Sequence, residues 1–407
     1  MDKLVSLLLR FSGTGFTLLT TIVLTRKWNL EATGAFFIYY SLYRVLAGIV
    51  SSVFVRKTIR DLAKTESKDW NNLAHKIFNE KVSLGLLLMS IAWIGSMILY
   101  HFGILNLVTP GVIISTLLWT IIMFINAVIQ GVFKSNLSII IEFVCVPIAF
   151  LAGLLITPAT ASPVLVHTVA LIVTSMVSIA IIFRYIIPSK LNLQLPKFEK
   201  EDYTFIGVRS VNVIQSNVIM LLSPLVLSKS EIGLIGVTLR FFNVSNAILT
   251  GLSSHYSPRF SKAYYQTNFK KMSRLFRESQ VISTLSYLPL MFVYVFFGDY
   301  VARFMNLEGQ IENLLIGVGL IGLINVFTNL SGYMLLVSSR QKYVLRANVI
   351  SLVILLVVYL PLANLFSLSG FLFAFGLYQM FKQGILYAEA KKLLLSMKAK
   401  SNTQLYN

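Results

Sequence analysis

Apolar runs of about 20 residues, broken by short polar connections, recur from one end of this chain to the other. At a helical rise of about 1.5 Å per residue, each run can cross a hydrocarbon core roughly 30 Å thick. About twelve such spans are predicted, at residues 4–25, 31–55, 82–102, 111–133, 137–156, 164–187, 203–227, 233–255, 281–297, 311–337, 344–362 and 368–386. The first follows Met1-Asp2-Lys3 with no small-residue cleavage site, so it is predicted to stay as a transmembrane helix. The polar connections are strongly sided. With the N-terminus inside, inner segments hold 26 Lys and Arg, outer segments hold four, and five lie within spans. That bias predicts that both termini are cytoplasmic.

Composition agrees: 56% of the 407 residues are hydrophobic, 13% are charged, and the mean hydropathy is +0.76. No soluble core could bury that much apolar sequence. The net charge of +19 follows from the loop bias, and no basic stretch argues for nucleic acid. Two loops, 56–81 and 259–277, carry much of that charge beside anionic lipid. Their aromatic and apolar positions, Trp70, Leu73, Ile77, Phe269, Met272 and Phe276, fit short amphipathic helices on the inner surface. The single cysteine, Cys145, sits in an apolar run as a packing residue and precludes an intrachain disulfide framework. Outer connections are short, the longest near 298–310, which leaves no room for an external catalytic domain.

A shift of 199 residues places Arg10 on Arg209, Gly34 on Gly233, Arg60 on Arg259 and Trp70 on Phe269. Identities are few, but helix order, loop charge and the glycine opening the second span agree, which predicts a duplicated module. The expected architecture is all-α and polytopic, with six-helix lobes at 1–200 and 201–395 and a cytoplasmic tail at 396–407. Halves of even span number share one topology, so their axis should run along the membrane normal, an arrangement suited to alternating access.

Arginine at the centre of a membrane helix costs roughly 2.5–3.5 kcal/mol, so buried arginines must face water, a partner or a substrate. Arg44 lies about midway between Glu31 and Lys57, and Arg240 is about nine residues inside the outer end of its helix. Counted from the paired glycines they differ by three positions, which puts them on similar helix faces. Arg10 and Arg209 are shallower, where the side chain can snorkel to headgroups, and Lys382 beside Gly384 has the same choice. Glu142 is the only carboxylate well inside a span. It fits either an ion pair, with one of the arginines or Lys134, or a coupling site for a proton or sodium gradient. Excess cationic charge implies an anionic substrate, and arginine's planar fork suits phosphate oxygens. Tyr39, Tyr43, Asn126, Asn212, Asn217, Asn243 and Asn325 are candidates for setting specificity.

The segments Glu31-Ala-Thr-Gly34-Ala-Phe-Phe and Ser230-Glu-Ile-Gly233-Leu-Ile-Gly each open a second helix, and basic loops with Arg56, Arg60, Pro258 and Arg259 follow. In these features residues 1–395 resemble the Wzx-type polysaccharide repeat-unit flippases, in the superfamily that also contains the multidrug and toxin extrusion (MATE) transporters. The resemblance implies a MATE-like arrangement of two lobes around a cationic central cavity, and transfer of an undecaprenyl-pyrophosphate-linked oligosaccharide to the outer leaflet. Arg10, Arg44, Arg209, Arg240 and Lys382 would then meet the pyrophosphate or acidic sugars. No cofactor is implied; membrane lipids and a glycan polymerase or export machinery are the implied partners. The drug-exporting relatives usually carry cavity carboxylates, whereas this chain puts Arg10 in its first helix. A cation-coupled exporter of small molecules is the alternative within the superfamily.

A membrane glycan polymerase is the rival from another class. It should show a large outer loop or an acidic or His-rich constellation. His75, His101, His167 and His255 lie in separate regions without metal-ligand spacing, and no nucleophile–base pair or phosphate-cradling glycine loop is present. The sequence therefore predicts a transporter rather than an enzyme.

Overall fold

The computed structural model describes residues 2–52, 55, 58–59, 110–131, 135–182, 200–307, 311–328, 330–338 and 340–403. These residues are helical almost throughout. The elements are α1 (Asp2–Lys27), α2 (Leu30–Ser52), α3 (Pro110–Gly131), α4 (Ser135–Ile139), a π turn (Ile140–Cys145), α5 (Val146–Ile156), α6 (Pro163–Ile182) and α7 (Lys200–Leu222). A short 3-10 turn (Ser223–Leu225) leads to α8 (Lys229–Tyr265), α9 (Phe269–Phe296), α10 (Gly298–Phe304), α11 (Glu312–Thr328), α12 (Leu330–Val337) and α13 (Gln341–Thr403). Ten described stretches are long and apolar enough to cross a bilayer, and the last, Gln341–Ala399, takes in both spans expected at 344–362 and 368–386. The span expected at 82–102, all of the loop at 56–81 except residues 58–59, and Lys134 lie outside the described residues.

The chain divides into two compact units, Met1–Leu221 and Leu222–Asn407. The repeat expects its boundary at residue 200, at the start of α7, and the residues of α7 up to Leu221 cluster with the first unit. Helix α7 touches α2 at two points. A Cβ on Gly48 would lie 2.4 Å from a Val213 methyl, so only glycine admits that side chain. One turn on, Ser52 and Ser210 share a hydrogen bond of 2.9 Å between their hydroxyls.

In the first unit, α2 and α3 bury much of their surface, while α5 and α6 leave a row of apolar side chains uncovered, including Ile156 (85% exposed), Leu165 and Met176. Such surface matches lipid rather than water. The end of α5 is closed by Lys27, whose ammonium donates to the carbonyls of Leu154 (2.6 Å), Leu155 (3.2 Å) and Thr157. A cation there meets the negative end of the helix dipole and satisfies carbonyls that have no intrahelical donor.

In the second unit, the basic stretch 259–277 forms no separate surface helices, contrary to expectation. Pro258 and Arg259 continue α8, and Phe269 opens α9. The two meet through a tight turn in which Thr267 has φ 50° and the Asn268 side chain caps α9 by accepting from the Lys271 N–H. Phe269, Met272 and Phe276 do turn inward, joining a core of Tyr256, Phe260, Met334 and Leu393.

The last two spans are joined without a loop. At Ser367 the backbone reaches φ 51°, ψ −125°, and a Cβ on Gly370 would fall 1.9 Å from the Leu362 carbonyl oxygen. In a straight helix those residues would be about 12 Å apart, so the chain doubles back here. The Ser367 hydroxyl donates to the carboxylate of Glu231, which also receives the Ser228 N–H at the start of α8 in a capping box.

Candidate substrate and coupling site

The first unit gathers its charges around a flaw in a helix. Pro147 has no N–H to give the Phe143 carbonyl four residues back, and the run Ile140–Cys145 winds as a π turn instead. Helix α1 presses on that turn: a Cβ on Gly13 would sit 2.2 Å from the Phe143 carbonyl oxygen. One turn before Gly13, the half-buried Arg10 holds its guanidinium 5.9 Å from the Phe143 ring. The neighbouring residue in the π turn is Glu142, whose carboxylate accepts a hydrogen bond of 3.4 Å from the Asn126 amide of α3.

Arg44 arrives from α2. Its guanidinium lies 4.3 Å from the Trp119 ring centroid and 5.8 Å from that of Tyr40, within the field of the Glu142 carboxylate. Cation–π contact of this kind holds a desolvated charge by roughly 2 kcal/mol. Packing behind it is dense and aromatic. Phe36, Tyr39, Tyr40 and Tyr43 all pack against the His167 ring, Tyr43 is fully buried, and the Tyr39 hydroxyl bonds to those of Ser115 and of Thr168 (3.1 Å). Tyr39 and Tyr43, expected among the specificity residues, are thus spent on internal packing. Asn217 likewise returns its amide to the Val213 carbonyl of its own helix. Arg10, Arg44 and Glu142 share one neighbourhood, while Arg209 lies half-buried on α7 beside the Ser210–Ser52 contact.

The second unit holds Arg240 on α8 and Lys382 on α13, both half-buried. The Lys382 ammonium reaches the Tyr378 hydroxyl at 3.3 Å. Near these cations runs a file of amides that the sequence announced only in part. Asn246 donates to Asn243 (3.1 Å), Asn325 to Asn246 (3.0 Å) and Gln383 to Asn325 (2.7 Å), which ties α8, α11 and α13 together. Asn243 and Asn325 were anticipated; Asn246 and Gln383 were missed, although both sit in apolar helices where an amide is costly. Trp119, the main contact of Arg44, was missed because a tryptophan in a span reads as ordinary packing.

Apolar helices in this number, with cations inside them, define a multi-pass membrane protein. Residues 204–362 match the MatE family, and the fold is that of the MATE transporters of the MOP superfamily. An inward-facing multidrug resistance MATE transporter of that superfamily superposes with TM-score 0.72 at 12% identity, covering 97% of this chain and 99% of the other. The MATE multidrug transporter DinF-BH, in a ligand complex, gives 0.68 at 12% identity, with 96% and 94% covered. An outward-facing multidrug resistance MATE transporter gives 0.63 at 14%, with 98% and 96% covered. No curated protein matches the sequence. These three matched structures are multidrug transporters, and at 12–14% identity the likeness is one of fold.

Proposed function

We propose that the protein is a flippase that moves an undecaprenyl-pyrophosphate-linked oligosaccharide across the bacterial inner membrane by alternating access, with both termini cytoplasmic. The observation that carries this reading is the charge inside the spans: Arg10, Arg44, Arg209, Arg240 and Lys382 stand half-buried there, and Glu142 is the carboxylate in the neighbourhood of Arg10 and Arg44. A substrate bearing two phosphates would meet guanidinium groups able to bind it in two-pronged fashion. In this reading Arg44 and Arg240 carry the pyrophosphate, Arg10, Arg209 and Lys382 guide it, and Glu142 couples transport to a proton or sodium gradient. A glycan polymerase or export machinery would take up the product.

The test is glycan export in cells whose own flippase is deleted. Arg44→Ala and Arg240→Ala should each abolish export while leaving the protein in the membrane, and Lys at either position should restore only part of it. Normal export from both alanine variants overturns the reading.

A second reading, a cation-coupled exporter of small molecules, draws on the fold likeness to multidrug transporters, one of them in a ligand complex. Glu142 beside Asn126 in a π turn is its best coupling candidate. Extrusion of a lipophilic cationic dye such as ethidium by the wild-type protein, lost in Glu142→Gln, would favour it.

A further inference from the structure

The amide file of the second unit has a direction and an unfinished end. Each link donates toward Asn243: Gln383 to Asn325, Asn325 to Asn246, Asn246 to Asn243. The outer member, Asn243, is exposed, Asn246 is half-buried, and Asn325 and Gln383 are 3% and 2% exposed. At the inner end the Gln383 side-chain oxygen accepts no hydrogen bond from any described residue, and neither does that of Gln379, one turn earlier on the same face and 6% exposed. A buried acceptor left without a donor is costly, and two on one helix face point to a ligand that supplies donors.

The chemistry of that ligand follows from what surrounds the file. An anion would need donors, but the amide N–H groups that the links use are already committed within the file. A metal cation would suit bare carbonyl oxygens, yet Lys382 is the neighbour of Gln383 and Arg240 lies one turn before Asn243, while no carboxylate takes part in the file. A neutral hydroxyl meets no such repulsion. It can donate to an amide oxygen at the buried end and accept from an amide N–H at the exposed one. Gly384, next to Gln383, is exposed and a Cβ there would touch nothing within 4 Å, so the surface beside the file is open.

We infer that this file is a subsite for a neutral sugar of the transported glycolipid, whose hydroxyls enter past Asn243 and Gly384 and donate to Gln379 and Gln383. This rests on the lipid-linked glycan reading and adds to it the part of the chain that distinguishes a sugar-bearing lipid from a bare one.

The experiment compares the affinity of the purified protein in nanodiscs for two probes, undecaprenyl pyrophosphate and undecaprenyl-pyrophosphoryl N-acetylglucosamine. The wild type should bind the sugar-bearing probe about tenfold more tightly, and Gln379→Leu with Gln383→Leu should erase that preference. Affinity for the sugar-free probe reports that the doubly substituted protein is folded, and Gln379→Leu alone, which keeps the Gln383–Asn325 link, gives a second, less disruptive variant that should weaken the preference. A preference absent from the wild type, or intact in the variants, overturns the inference while leaving the flippase reading standing. Sodium-dependent binding that the substitutions abolish overturns it in favour of a cation site. Failure of the wild type to bind either probe, by contrast, defeats the flippase reading itself and this inference with it.

Discussion

The two units handle polarity inside apolar helices in opposite ways. In the first, a full charge is held by aromatic faces and one carboxylate: Arg44 on Trp119 and Tyr40, in the field of Glu142. In the second, neutral amides are chained across three helices, with the cations at the side. A charge in hydrocarbon is too expensive to leave without a partner, so the first unit must surround it. An amide costs less and can pass its hydrogen bonds along, so the second unit can leave an end open. The two units therefore differ in their chemistry: the π turn and the amide file each have a home in one unit only among the described residues.

The contrast can be broken most severely at Arg44. Replacing it with Ala removes a cation from the field of Glu142, and transport should fall by at least about 100-fold, roughly 3 kcal/mol, with Lys recovering a part. Transport assays on proteoliposomes would measure this, and a loss under tenfold would mean that the aromatic cage, not the charge, is what matters. Next comes Gly13→Val, which drives a side chain into the Phe143 carbonyl and should cost about 1–3 kcal/mol, read as a lower unfolding temperature. Pro147→Ala restores the missing N–H and lets the π turn relax toward an α-helix, rotating Glu142 away from Asn126. Stability should hold or rise while ion-coupled transport drops about tenfold, by roughly 1.4 kcal/mol; unchanged coupling would show that the π turn has no part in it. The smallest effect is expected in the second unit at Ser367. Ser367→Ala keeps the strained φ and loses the bond to Glu231, costing about 1 kcal/mol, whereas Ser367→Gly loses the bond but relieves the backbone and should be near neutral. Equal destabilisation by both would remove strain from the account.

Hydropathy made the spans legible, because length and apolarity are properties of single segments; all but the span at 82–102 coincide with described helices. What could not be read were relations between segments. Val213 fits against Gly48, a contact with no trace in either residue's own neighbourhood. The basic stretch 259–277 looked like surface helices because charge reports sidedness, not helix continuity. Positions of the arginines were readable, but their surroundings were not: that Arg44 stacks on Trp119 depends on how α2 and α3 are turned against each other. Asn243 and Asn325 stood out as amides in apolar runs, yet only the packed helices reveal that Asn246 lies between them.

The doubled-back chain at Ser367 also bears on how the protein is made. With one residue for a connection, neither arm of α13 can wait in the membrane or in the translocation channel while the other is synthesised and sorted. The arms, Gln341 to Phe366 and Leu368 onward, must therefore partition into the bilayer together as a hairpin. That leaves no slack there for an inserted tag or glycosylation sequon, so topology reporters belong at the Gln266–Asn268 turn instead.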